Sequence, residues 1–201
     1  MLSEKTAPSY WEERAKKFDK RAVGFDSRQL EEQEINYSLR RSFIFNHLNS
    51  STPTLDYGCG VGRYAKYFRN YMGCDLTKQL LDIAGKENPN TAFFHLKEPW
   101  INEDNALLAS RTEQIFTATV LQHCDDELVA KIIKSFSHFP LLHRLCFYEK
   151  NNGDVKPHVV SRNSKEYYDL VNCAGFFIKN SESYTHSIHG ELHTLSKFTI
   201  G

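Results

Sequence analysis

Three glycines at alternate positions, Gly58, Gly60 and Gly62, stand in the stretch TLDYGCGVGRYAKYF, residues 54–68, with Asp56 two residues ahead of the first. A residue without a Cβ takes positive φ easily and leaves the backbone bare for a ligand to approach. The run that follows reads as a helix, whose start would offer free N–H groups and a partial positive charge suited to a carboxylate or phosphate. A dinucleotide fingerprint, G-x-G-x-x-G, would need its third glycine at position 63, which is Arg63, and no G-K-[ST] of a Walker phosphate loop follows.

A metal is the second chemistry to weigh. HSIHGELH holds His186, His189 and His193. Along a strand, residues three apart face opposite ways, and Gly190 breaks the register, so no metal site is expected. The five cysteines are scattered, without a C-x-x-C pair. They are expected to be buried, reduced and unpaired.

The elements that would position these residues follow from periodicity. SYWEERAKKF, from Ser9, reads as a helix with Ser9 as a cap and Glu12 three residues on. A second helix is expected over 28–48. Strand-like runs are 54–57, 71–74, 91–96, 114–121 and 142–148, with helix-like runs at 62–68, 77–87 and 125–136 between them. This alternation predicts a doubly wound, mostly parallel α/β sheet of the Rossmann-like kind. After a helix with Ser164 as its expected cap and Gly175 as its stop come two strands, 176–184 and 191–200. They are too close for a crossover and must form an antiparallel hairpin. Residues 1–50 are read as an N-terminal helical cap and 51–201 as one compact unit. In such a sheet, ligands bind at the carboxyl ends of the strands where the strand order reverses, which is where the glycine turn falls.

LDYGCGVGR resembles the first motif of class I S-adenosylmethionine-dependent methyltransferases, commonly L-D-x-G-C-G-x-G-R. The resemblance continues through Asp75 in YMGCDLT, where the family keeps an acid for the ribose hydroxyls, through VLQHCDDE after the fourth strand and through CFYEK in the fifth. It covers about residues 55–201 and implies S-adenosyl-L-methionine as cofactor. By that resemblance Asp56, Gly58, Cys59, Gly60 and Gly62 hold the methionine end. Arg63 either steadies the turn, reaches the carboxylate or lies on the surface. Asp75 takes the ribose, and Leu76 and Leu121 flank the cofactor. The family often places an acid after the third strand; FFHLKEPWINED has none directly there. Trp100 is therefore a candidate to stack on adenine, or else an anchor for its loop.

Because a sulfonium donor is already activated, positioning is the main demand, worth roughly 7–11 kcal/mol of a barrier. Candidates on the acceptor side are few. His123 is the expected general base, or else it shapes the turn CDDE. Glu149 would orient an acceptor hydroxyl or amine, or sit solvated in a loop. The segment from Lys156 to Phe176 is similar to one in small-molecule methyltransferases that overhangs the substrate mouth. That makes His158 and Arg162 acceptor-side candidates, with an Arg162–Glu166 ion pair as the alternative. Tyr10 and Trp11 would close the pocket from the N-terminal helix, as would Tyr37, Arg40 and Arg41 from the second.

The chain carries 25 basic and 25 acidic residues, so its net charge of zero gives no general pull toward nucleic acid or membrane. No apolar run approaches the roughly 20 residues of a membrane helix, and a cytoplasmic location is expected. The reading that results is methylation of oxygen or nitrogen on a small metabolite. An RNA or DNA methyltransferase would call for a basic stripe, and a non-catalytic cofactor-binding subunit is the third possibility.

Overall fold

The computed structural model describes residues 7–18, 22–23, 43–46, 48–151, 159–188 and 191–200. The expected second helix, with Tyr37, Arg40 and Arg41, lies mostly outside these residues, and so does His158. The side chains of His186, His189 and His193 are outside them too.

Seven strands form one sheet in the order β3-β2-β1-β4-β5-β7-β6. They are β1 (Thr54–Tyr57), β2 (Tyr71–Asp75), β3 (Ala92–His95), β4 (Gln114–Ala118), β5 (Arg144–Asn151), β6 (Ile178–Ile188) and β7 (Glu191–Ile200). The first five pair in parallel, whereas β7 runs antiparallel to both β5 and β6. The helices are α1 (Ala7–Phe18), α2 (Lys78–Glu87), α3 (Ala106–Ala109), α4 (Asp126–Ser135) and α5 (Ser164–Cys173). The sheet is thus the Rossmann-like, mostly parallel sheet that the alternation predicts, closed by the hairpin. Among the described residues no helix is long and apolar enough to cross a membrane.

β1 is wholly buried, as a strand covered on both faces must be. One apolar layer joins Leu55, Ile115, Ile132, Ile133, Phe147 and Phe198. A second gathers Phe68, Tyr71, Phe116 and Tyr148 beneath Ile44.

Several local expectations are corrected. The run 62–68 is not an α-helix: turns lead into a single 3₁₀ turn, Ala65–Tyr67. Its aromatic rings are drawn into the second layer instead, with Phe68 stacked on Phe116 at 5.4 Å and Tyr64 edge-on to it. No helix dipole therefore stands behind the glycines. β4 stops at Ala118 rather than at 121, because Thr119 has φ +59. β5 runs on to Asn151, which places Glu149 inside the strand. Ser9 lies within α1 rather than at its cap. Asn163, not Ser164, caps α5: its side chain accepts from Glu166 N–H while the Glu166 carboxylate accepts from Asn163 N–H. Gly175, at φ +86, ends that helix as expected.

Candidate functional site

The strand order reverses between β1 and β4, and a cleft opens there at the carboxyl ends of the parallel strands. Gly58 and Gly60 line it from the β1 loop, and Asp75, Leu76, Thr77 and Leu80 line it from β2 and α2. Tyr57, Leu96, Pro99 and Ile132 contribute a largely apolar part, and Ala118, Thr119, Val120, His123 and Cys124 follow from β4 and the turn after it. Trp11 and Val23 come from the N-terminal segment.

All three alternate glycines are left-handed, with φ +74, +54 and +70. Each is also crowded. A Cβ on Gly58 would lie 2.5 Å from Val120 Cγ2, and one on Gly60 2.7 Å from Val23 Cγ1. On Gly62 it would lie 2.9 Å from the Phe93 ring. Glycine is required twice over, by backbone conformation and by close approach. Turn bonds hold the loop: Gly58 and Cys59 N–H both donate to Cys74 carbonyl, and Gly62 N–H donates to Cys59 carbonyl.

Asp75 is the acid in this cleft. Its Oδ2 accepts from Gly60 N–H at 2.9 Å and its Oδ1 from Thr77 N–H at 2.8 Å. A carboxylate has about four acceptor positions, so two backbone bonds leave capacity for hydroxyl donors. Burial raises its pKa, and the N–H donors of Thr77 and Gly60 pull the other way.

Asp56 is placed differently from the expectation. It is 2% exposed and is not among the residues lining the cleft. Its Oδ2 accepts from Tyr71 hydroxyl at 2.5 Å, and burial pushes its pKa up to about 7. Its carboxyl thus joins β1 to β2 inside the sheet. Cys59 and Leu121 are buried outside the lining, and Arg63 is also outside it, whereas Leu76 lines the cleft. Trp100 does not: the Lys131 ammonium sits 3.2 Å from its ring centroid, so the indole holds its loop against α4. The apolar lining of the cleft comes from Leu80, Leu96, Pro99 and Ile132, residues with no distinguishing signal in the sequence.

The acceptor-side candidates separate as well. His123 lines the cleft, its ring edge-on to Trp11 at 5.2 Å and its Nε2 3.2 Å from Gln122 Nε2. Tyr10 packs edge-on against Trp11 and does not line the cleft. Glu149 is fully buried, and its two oxygens accept from the N–H groups of Val120, Leu121 and Gln122. Burial pushes its pKa up to about 8, against the pull of those three donors. Arg162 is 3% exposed and fully engaged. It donates to the carbonyls of Leu121 and Cys124 and, through Nε and Nη2, to Asp126 Oδ1. Neither Glu149 nor Arg162 reaches the cleft; both hold the turn that forms its wall. The alternative Arg162–Glu166 pair does not form either, because Glu166 is spent on the cap of α5.

No family model and no curated protein sequence matches this chain. Solved structures do. Magnesium protoporphyrin IX methyltransferase from Synechocystis, with bound S-adenosylhomocysteine, superposes with a TM-score of 0.65 at 14% identity, over 96% of this chain and 97% of that one. The fold is that of S-adenosylmethionine-dependent methyltransferases. One such protein from Anabaena variabilis gives a TM-score of 0.66 at 19% identity, covering 96% and 93% of the two chains. DhpI, in a complex with S-adenosylmethionine and a ligand designated HEP, gives 0.64 at 14% identity, covering 94% of each.

Proposed function

We propose that this protein is an S-adenosylmethionine-dependent methyltransferase acting on an oxygen or nitrogen of a small metabolite. The observation that carries the reading is the junction of Asp75 with the left-handed glycine loop at the strand-order reversal. The cleft fits the cofactor's three parts. Bare backbone at Gly58 and Gly60 suits the amino-acid end, the Asp75 carboxylate suits the ribose hydroxyls, and the Leu80–Leu96–Pro99–Ile132 slot suits adenine.

When bound, S-adenosylmethionine supplies a methyl group already activated on sulfur. The chain's own work is to orient, to exclude water and, where the acceptor must lose a proton, to accept it. His123 is the described cleft residue fitted for that last task. Trp11 and Val23 cover the cleft from the N-terminal segment, which supports reading residues 1–50 as a cap and the acceptor as a small molecule. A covered cleft of this kind receives a metabolite more readily than a duplex. All five cysteines are free, four of them buried and Cys173 exposed against expectation, in keeping with a reducing, cytoplasmic compartment.

The test is transfer of labelled methyl groups from S-adenosylmethionine into a fractionated cell extract. Label in the low-molecular-weight fraction is expected. Label confined to RNA or DNA would overturn the small-molecule reading, and no transfer despite tight S-adenosylhomocysteine binding would leave a binding subunit.

A further inference from the structure

Among the described residues other than glycine, Thr119 is the one with positive φ, at +59. For a β-branched residue this is a genuine outlier, and such strain persists only where the surroundings over-determine it. Both sides of Thr119 are held. Its N–H donates to Tyr148 carbonyl at 2.7 Å, which extends the β4–β5 ladder one residue past the end of β4. Its hydroxyl turns back to Ala118 carbonyl at 2.7 Å. On the far side, the next three N–H groups all point at the buried carboxylate of Glu149, at 3.2, 2.9 and 3.1 Å. Val160 N–H, donating to Gln122 carbonyl at 2.7 Å, braces the same turn from outside.

This corner has a consequence in the cleft. Reversing the chain at Thr119 brings the Val120 side chain against bare Gly58 and leaves Thr119 and Val120 as cleft lining. We propose that Glu149 is a positioning residue acting through Thr119: it clamps the turn 120–122, forces the left-handed corner and so fixes the cleft wall at Gly58 before the cofactor arrives. Strain is thereby exchanged for preorganisation, which strengthens binding by removing an ordering cost from the binding step. The proposal rests on reading the cleft as the S-adenosylmethionine site.

Calorimetric titration with S-adenosylhomocysteine, alongside thermal unfolding, tests it. Thr119→Gly frees the corner and is expected to weaken binding about 5–10-fold without lowering Tm, since relief of strain offsets the flexibility that glycine adds. Thr119→Asn, whose side chain tolerates the left-handed region, is expected to recover most of that affinity. Glu149→Gln, with one oxygen replaced by a donor facing N–H groups, is expected to weaken binding tenfold or more. Should Glu149→Gln fail to fold, the Thr119 pair still decides the matter. A purely structural corner would move Tm and leave affinity alone. Thr119→Gly binding within twofold of the parent overturns the proposal, and so does failure of Thr119→Asn to recover affinity. A parent protein that does not bind S-adenosylhomocysteine at all refutes the functional reading instead.

Discussion

The carboxylate of Asp75, at the end of β2, accepts the N–H of Gly60, fifteen residues earlier in the β1 loop, at 2.9 Å. Two adjacent parallel strands are thereby joined at their carboxyl ends by the residue expected to take the ribose. Replacing Asp75 by Ala removes this bond, the bond to Thr77 and the ribose partner together. Each charge-assisted bond is worth about 1.5–3 kcal/mol, so S-adenosylhomocysteine affinity is expected to fall at least tenfold. Calorimetry on a variant that still unfolds cooperatively checks this, and unchanged affinity would assign the ribose to another group.

Gly60→Val is expected to abolish cofactor binding by a route that includes the N-terminal segment at Val23. A Cβ at Gly60 would stand 2.7 Å from Val23 Cγ1, and the residue's φ of +54 strains any branched side chain. Val23 must be displaced or the loop must unwind. Limited proteolysis should then cut the N-terminal segment faster in the variant than in the parent.

Arg162 joins the carbonyls of Leu121 and Cys124 to Asp126 at the start of α4. Asp126 is largely exposed, so the two buried carbonyl bonds are the larger part of what Arg162→Met would lose. At about 1.5–3 kcal/mol for each bond to a charged group, and about 2–4 °C per kcal/mol, Tm should drop by roughly 6 °C or more. A variant with unchanged Tm would return Arg162 to the list of acceptor-side residues.

His123→Ala should lower turnover by on the order of 10²-fold if the imidazole is the general base, and leave S-adenosylhomocysteine affinity within a few-fold. Single-turnover transfer to whichever acceptor takes label provides the measurement. Full activity would leave alignment as the whole mechanism.

Asp56 provides a pH signature. Its pKa is raised by burial from 3.8 to about 7, so between these values the folded state holds a proton that the unfolded state has released. Its contribution to stability is complete below about pH 4 and is lost as pH rises through about 7. Asp56→Asn, which cannot ionise, should gain in Tm relative to the parent on going from pH 5 to pH 8. A difference that is the same at both pH values would contradict a protonated Asp56.

Much of this was written in local sequence. The order of the strands along the chain, the bare G-x-G-x-G turn and the acid ending the second strand are local signals, and the structure bears them out. Close approach can be read from Gly58 and Gly60 because the absence of a Cβ is itself a sequence feature. Other features depended on neighbours far along the chain. Residues 62–68 have a helical pattern, but Phe116 and Phe45 capture their rings and leave only a 3₁₀ turn. Glu149 and Arg162 look like cleft residues by strand position, yet tertiary packing aims them at the backbone of 120–124: Glu149 takes the N–H groups of Val120, Leu121 and Gln122, and Arg162 donates to the carbonyls of Leu121 and Cys124. The left-handed Thr119 runs against its own local preference and exists only because Tyr148 and Glu149, about thirty residues on, hold it. Sequence alone determined the bare glycine turn after β1 and the acid that ends β2. Tertiary structure decided which polar residues line the cleft and which hold its walls, because that choice rests on hydrogen bonds between segments that sequence order keeps apart.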